Sequence, residues 1–367
     1  MALGLPLRPV RAALLRTHRV RRYANVFPLT LVGKPPPPPP PKQPTPPPIT
    51  ALSELDSLVL AQLRSGPASG LPTLIDEYEK NEGHVLETFL PYESRPPKDR
   101  RVMFDRDRSY LNNGVVMVAH AFHHQDRHKV ALCSGFVLNV SALQGEEAPF
   151  DGDQEDSVIL TCAHTLEEMR NSSLLSQPST APDDSGPLSG SFVLSGVPEL
   201  RTPVFHPVKS ILSSLHRSDL LLLSVARNAL TQRVMPSLPI SPYPVHSGTA
   251  IRAHFIVDEE PDEPGWHPWV GGTWSKWVKG TVVGYRDFAG REAKPGTYDS
   301  LSHLMFEPLP TPGSSGGPII DEETGAVVGV MVGTRMDSEI NGVRGWGRPA
   351  ETIFEMFSLP GLNLRKE

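Results

Sequence analysis

From about residue 114 the chain breaks into short apolar runs divided by Gly, Pro, Asn and Asp. The runs are VVMVAHAF (115–122), KVALCSGFVLNV (129–140), SVILTCAH (157–164), SFVLSGV (191–197) and DLLLLSV (219–225), then TAIRAHFIV (249–257), KGTVVGY (279–285), HLMFEPL (303–309) and AVVGVMVG (326–333). Short strands in such regular succession predict an all-β sandwich or barrel. Two earlier stretches have helical spacing instead. Leu52, Leu55, Leu58, Val59 and Leu63 form one apolar stripe, ended by Gly66-Pro67. Leu71, Leu74, Ile75 and Tyr78 form a second. Both are expected to pack on the domain that follows or on a neighbouring subunit, which leaves a homo-oligomer open. The stretch ETIFEMF (351–357) predicts a C-terminal helix.

The first 53 positions are of a different kind. They contain no Asp or Glu, but include Arg8, Arg11, Arg16, Arg19, Arg21 and Arg22. Leu7, Val10 and Leu14 would share one face of a short basic helix. Arg-rich and acid-free is the composition of a mitochondrial transit peptide, and AALL is too short an apolar centre for a secretory signal. The run RRYA (21–24) resembles a matrix-peptidase processing pattern. Seven prolines at 35–41 then favour polyproline II, a stiff spacer that buries nothing. The expected organisation is a transit peptide with a short tail over 1–33, a proline-rich linker over 34–50, a helical extension over 51–105 and a β domain over 106–360.

Composition narrows the function. A net charge of −6 over 367 residues lacks the basic excess that nucleic acid requires. Two cysteines, Cys133 and Cys162, cannot build a disulfide-rich scaffold. No apolar run is long enough for a membrane span, so no integral membrane segment is expected.

The stretch PTPGSSGGPII (310–320) is poor in side chains just before an apolar run. A glycine at 313 allows the backbone to turn an amide inward, and Ser315 offers both a hydroxyl and a second amide. Gly316 and Gly317 keep the approach open. Hydrolysis of an amide needs a nucleophile, a base and donors aimed at the developing oxyanion. Upstream, His164 closes an apolar run in ILTCAHTL, and Asp219 stands directly before four leucines in HRSDLLLLSV. Taken singly, these are a plain turn, a satisfied histidine and a strand-start aspartate. Their order on an all-β background points elsewhere.

TCAHTL, SDLLLLSV and PGSSGGP resemble the histidine, aspartate and serine motifs of chymotrypsin-fold (trypsin-like) serine peptidases, closest in texture to the HtrA-like group. CSGFVL, KGTVVGY, VVGVMVG and GWGRPAETIFEMF resemble further family segments, and the resemblance covers roughly 110–358. It implies a double six-stranded β-barrel with the site in the cleft, here with an N-terminal helical extension and a C-terminal helix. It implies Ser315 as nucleophile, His164 as general acid–base and Asp219 as the residue that orients the histidine, with the Gly313 and Ser315 amides as the oxyanion hole. Leu309 and the segment Val332-Gly333-Thr334 would wall the specificity pocket. The implied activity is that of a serine endopeptidase acting on proteins or peptides without a cofactor, in mitochondrial protein quality control or processing. The alternative is a catalytically silent peptidase fold that holds partners.

Some features depart from the family pattern. Ser314 stands where digestive relatives carry an Asp, so their zymogen switch is not expected. Cys162 lies two positions before His164 rather than just after it, so the usual histidine-loop disulfide is not expected either. Too few residues follow the last predicted helix for a PDZ domain. The insert 258–277 holds four of the five tryptophans and is expected to be a structured loop over the cleft rim or a partner. His120, His123, His124 and His128 read as a polar hairpin, with no metal assigned, and the two cysteines as buried thiols on neighbouring strands. The N-terminal pattern predicts a mature chain beginning near Ala24. Mass spectrometry of protein recovered from cells would find that end, whereas an intact Met1 on cytosolic protein would overturn the targeting assignment.

Overall fold

The computed structural model describes residues 53–66, 69–102, 104, 114–125, 127–142, 156–176, 186–197, 200–226, 235–338 and 342–359. The arginine-rich and proline-rich stretches and Leu52 lie outside these residues. Six antiparallel strands close a first barrel: β1 (Val115–His124), β2 (Arg127–Leu138), β3 (Ser157–Cys162), β4 (Leu188–Val197), β5 (Leu200–Leu215) and β6 (Leu220–Val225), in the order β1-β2-β3-β6-β5-β4. A second six close in the order β8-β9-β12-β11-β10-β7 and return to β8: β7 (Ala250–Val257), β8 (Trp274–Arg286), β9 (His303–Glu307), β10 (Pro318–Asp321), β11 (Val327–Ser338) and β12 (Gly342–Pro349). The expected double barrel is present.

Two helices precede the barrels, α1 (Glu54–Ser65) and α2 (Leu71–Lys80). The Ser53 hydroxyl caps α1 by accepting the Asp56 amide at 3.0 Å. The buried stripe of α1 is Leu55, Val59, Leu60 and Leu63; Leu58 is only half-buried, because Leu60 takes the inward position expected for it. These side chains pack on Met117, Ala119 and Ala121, while Val116, Val118 and Phe122 point the other way with Cys133, Ile159 and Val193. β1 is therefore covered on both faces, which is why its sequence is a continuous apolar run rather than an alternation. Leu71, Leu74 and Tyr78 of α2 enter the first-barrel core. Both helices pack on their own chain.

Several elements differ from expectation. β5 escaped the pattern because Pro203 and Pro207 interrupt it. The tryptophan-rich insert is partly strand, since Trp274 and Trp277 belong to β8. Its Val270 joins the cluster beneath α1, and a side chain at Gly271 (φ 63°) would meet Leu55 Cδ1 at 2.4 Å. The insert thus docks under α1. After α3 (His164–Arg170), the C-terminal helix expected over 351–357 is α4 and covers only Glu351–Phe354, while the GWGRP part of the segment GWGRPAETIFEMF lies in β12.

Of the four buried histidines among the described residues, His120 and His254 are the most deeply sealed. Burial holds His120 well below the usual imidazole range, at about 4, with its Nδ1 bonded to Ser191 Oγ at 2.7 Å. His254 sits edge-on to Trp269 and Trp277 and is pushed by burial to about 3. His123 and His128 face each other across the β1–β2 hairpin, and Arg64 Nη2 donates to His123 Nε2 at 3.0 Å. Among the described residues no group of three or more His, Cys, Asp or Glu could hold a metal ion, and no helix is long and apolar enough to cross a membrane.

Candidate active site

β3 ends at Cys162 and α3 begins at His164, so the histidine stands at a strand-to-helix corner. Asp219 occupies the turn before β6 in a left-handed conformation (φ 54°, ψ 39°), which Asp tolerates better than most residues. Its Oδ1 accepts the amides of Ala163 at 2.9 Å and His164 at 2.7 Å, and Oδ2 lies 2.7 Å from His164 Nδ1. A carboxylate can only accept, so Nδ1 carries the proton and Nε2 keeps its lone pair. Burial pulls the His164 pKa down, but the hydrogen bond and charge of Asp219, aided by Cys133 and Glu167, leave it raised overall. Glu167 is itself fixed by the Tyr78 hydroxyl of α2 at 2.6 Å.

His164 Nε2 has a sulfur neighbour, Cys162 Sγ, at 3.7 Å. Cys133 and Cys162 are free and fully buried, and Cys133 Sγ lies 3.2 Å from both Thr161 Oγ1 and Thr165 Oγ1. Burial pushes the Cys162 thiol well up, so it stays protonated at neutral pH.

The serine loop belongs to the second barrel but lies against the first. Thr311 Oγ1 donates to Ile256 O at 2.7 Å, and the fully buried Ser314 accepts the Ile256 amide at 3.0 Å. From the other side, Ser134 Oγ donates to Gly313 O at 3.1 Å and the Ser134 amide to Ser315 O at 2.8 Å. Gly316 makes a close backbone contact between the barrels. At φ 81°, a side chain there would lie 2.2 Å from Ser134 O and 2.8 Å from the Cys162 amide. Serine and histidine segments meet through this contact.

Ser315 Oγ donates to Val332 O at 2.9 Å, and among the described residues no hydrogen bond joins it to His164. Nor does any protein acceptor among them take the amide of Gly313 or Ser315, so both remain available to an anionic oxygen. Beside the loop, Leu309 is 47% exposed, Val332 and Gly333 are half-buried and Thr334 is exposed along β11. Nearby charges are engaged: Arg335 stacks on Trp346, Arg344 pairs with Glu307 and Arg286 with Asp337.

A family model described as trypsin-like peptidase domain matches residues 133–330, a span containing His164, Asp219 and Ser315. The chain belongs to the trypsin-like peptidase family. Among solved structures similar to this chain, the MamO protease domain from Magnetospirillum magneticum, in its apo form, is 15% identical with a TM-score of 0.37, over 66% of this chain and 95% of that one. Rv3671c from M. tuberculosis H37Rv, a serine-to-alanine mutant in an inactive form, is 16% identical with a TM-score of 0.35, over 72% and 93%. No curated protein matches.

The serine loop is held by residues to which the sequence motifs assigned no such role. Ser134, in CSGFVL, holds the serine loop by side chain and backbone, and Thr311 and Ser314 hold it from β7. Their signal was slight, because hydroxyl residues in a Gly/Ser-rich loop look interchangeable. Gly316→Ala tests the contact between barrels. Its added carbon must displace backbone and adopt an unfavourable φ, so chemical denaturation should show a loss on the order of 1–3 kcal/mol. Unchanged stability would show that the loop relaxes without cost.

Proposed function

We propose that the chain is a serine endopeptidase that cleaves proteins or peptides through an acyl-enzyme. The observation that carries this reading is the 2.7 Å pairing of His164 Nδ1 with Asp219 Oδ2, beside a loop bearing a serine and two uncommitted amides. The Ser315 hydroxyl turns from Val332 O towards His164 Nε2, gives up its proton there and attacks the scissile carbonyl. The amides of Gly313 and Ser315 receive the developing oxyanion. Asp219 keeps Nδ1 protonated and stabilises the imidazolium, which then protonates the leaving amine. Water repeats the sequence to release the acyl group. The arginine-rich N-terminal segment supports a mitochondrial setting and a role in protein processing or quality control.

One observation favours a second reading, a catalytically silent peptidase fold that binds partners. The Ser315 hydroxyl is engaged by Val332 O and the His164 Nε2 lone pair faces a thiol. A fluorophosphonate probe on the purified protein separates the two, since only an assembled nucleophile is labelled. An unlabelled, folded protein would favour the silent form.

Ser315→Ala and His164→Ala should each lower turnover by about 10⁴-fold or more, and Asp219→Asn should fall in the same range through the wrong tautomer. Casein cleavage and full labelling in Ser315→Ala would mean that another residue is the nucleophile. The base must be neutral to act. With the His164 pKa raised, labelling should therefore increase with pH through a limb above about 6.5, the ordinary imidazole value.

Specificity follows from the walls assigned to the pocket. Leu309, Val332, Gly333 and Thr334 carry no charge, so an ionised side chain buried among them would lose hydration at a cost of several kcal/mol. An aliphatic or aromatic one would gain about 1.5–3 kcal/mol. Peptide-library profiling should show Val, Leu, Met or Phe before the scissile bond. A profile dominated by Glu would put Arg335 in the pocket, and one dominated by Lys or Arg would require an acid elsewhere at its base.

A further inference from the structure

Arg348 lies on β12 of the second barrel and is only 6% exposed. A buried guanidinium is costly unless its donors are matched. Here Nε donates to Ser218 O at 2.8 Å and Nη2 to Arg217 O at 2.5 Å, while Nη1 donates to Ser302 O at 2.8 Å and His303 Nδ1 at 2.7 Å. Among the described residues no carboxylate lies within ion-pairing distance of it. The negative charge that partly offsets its burial is that of Asp219.

Two of these acceptors are the carbonyls of the residues immediately before Asp219. These residues belong to a 3-10 turn that Asp219 closes in a left-handed conformation, and the direction of the Asp219 carboxylate depends on it. The other two belong to the start of β9. A single planar fork therefore spans both barrels and ends on the Asp219 turn.

We infer that Arg348 is a positioning residue, which fixes the Arg217–Ser218 carbonyls from the second barrel and so aims the Asp219 carboxylate at His164. The guanidinium geometry is essential to this role. A lysine would keep the charge, but its point-like ammonium cannot reach acceptors spread across two segments. The groups acting on His164 are Asp219 from the turn, Cys133 from β2, Cys162 from β3 and Glu167 from α3 itself. Of these, Asp219 is the one that Arg348 addresses.

The kinetic arm of the test rests on the peptidase reading; the spectroscopic arm does not. Arg348→Lys and Arg348→Met would be prepared in the full mature chain, with Leu74→Ala, a core truncation in the first barrel, as a stability control. Both Arg348 variants should lose about 10- to 100-fold in kcat with KM within about twofold. The acid limb of kcat/KM should move to lower pH, by about half a unit to one unit, as His164 loses the influence of Asp219. In proton NMR, the His164 Nδ1 resonance should move upfield or broaden away, as it should in Asp219→Asn. Leu74→Ala should lower the melting temperature and leave the limb and the resonance in place. Arg348 variants that behave like Leu74→Ala, with a wild-type limb, kcat and resonance, would overturn the inference. If wild-type protein is neither labelled nor active, the peptidase reading fails and the NMR arm decides alone: an unchanged His164 resonance and titration in Arg348→Met would then overturn the positioning role.

Discussion

The Asp219 carboxylate accepts two backbone amides as well as the His164 ring, so it organises a corner of the fold and not only a side chain. Ala163 and His164 are the link between β3 and α3, and tying their amides to the turn before β6 fixes where the histidine emerges. Charge-assisted bonds of this kind are stronger than neutral ones, and here they replace the capping side chain that α3 lacks at Ala163. The corner then receives the serine loop. Gly316 can approach Ser134 O and the Cys162 amide because it has no side chain. Each barrel closes on itself, so the geometry between them rests on such backbone contacts, on Arg348 and on the apolar cluster in which Phe136, Leu160 and Leu222 meet Ile320, Val327 and Val330.

How legible this was depended on burial. The run Leu220 to Leu223 is buried throughout, so the strand after Asp219 was plain, and with it the aspartate at its mouth. β1 was equally clear because α1 covers its outer face. β5 was hidden by Pro203 and Pro207, whose missing amides a sheet tolerates only at selected positions. The four-residue β10 and the glycine-broken β12 were too short or too irregular for periodicity to register. His164, Asp219, Gly313 and Ser315 stood out through local motifs. Arg348 did not, since an arginine between glycine and proline looks like a surface residue. Its acceptors lie at Arg217, Ser218, Ser302 and His303, far away in sequence.

The orientation of Ser315 has a different origin. Its hydroxyl is held by a carbonyl on β11, and the peptidase reading requires it to leave that carbonyl for the imidazole on α3. The polypeptide thus holds a bonded histidine–aspartate pair while the Ser315 hydroxyl is engaged elsewhere. The long-range architecture determines where the groups stand, whereas the partner of the hydroxyl is set locally by the neighbouring strand.

The sealed imidazoles of His120 and His254 make the fold asymmetric towards acid and base. Each is neutral when folded and would take up a proton at the ordinary imidazole value once released into water. Above about pH 6.5 neither state is protonated and nothing is lost. As the pH falls below that value the unfolded chain gains protons that the folded chain refuses, which costs about 1.4 kcal/mol per pH unit for each ring. For His120 the loss continues until the pH reaches its folded value of about 4. The ring lies inside the first barrel, so acid would loosen the molecule from within the half that carries the His164–Asp219 pair. Alkaline surroundings leave that half untouched by these two groups.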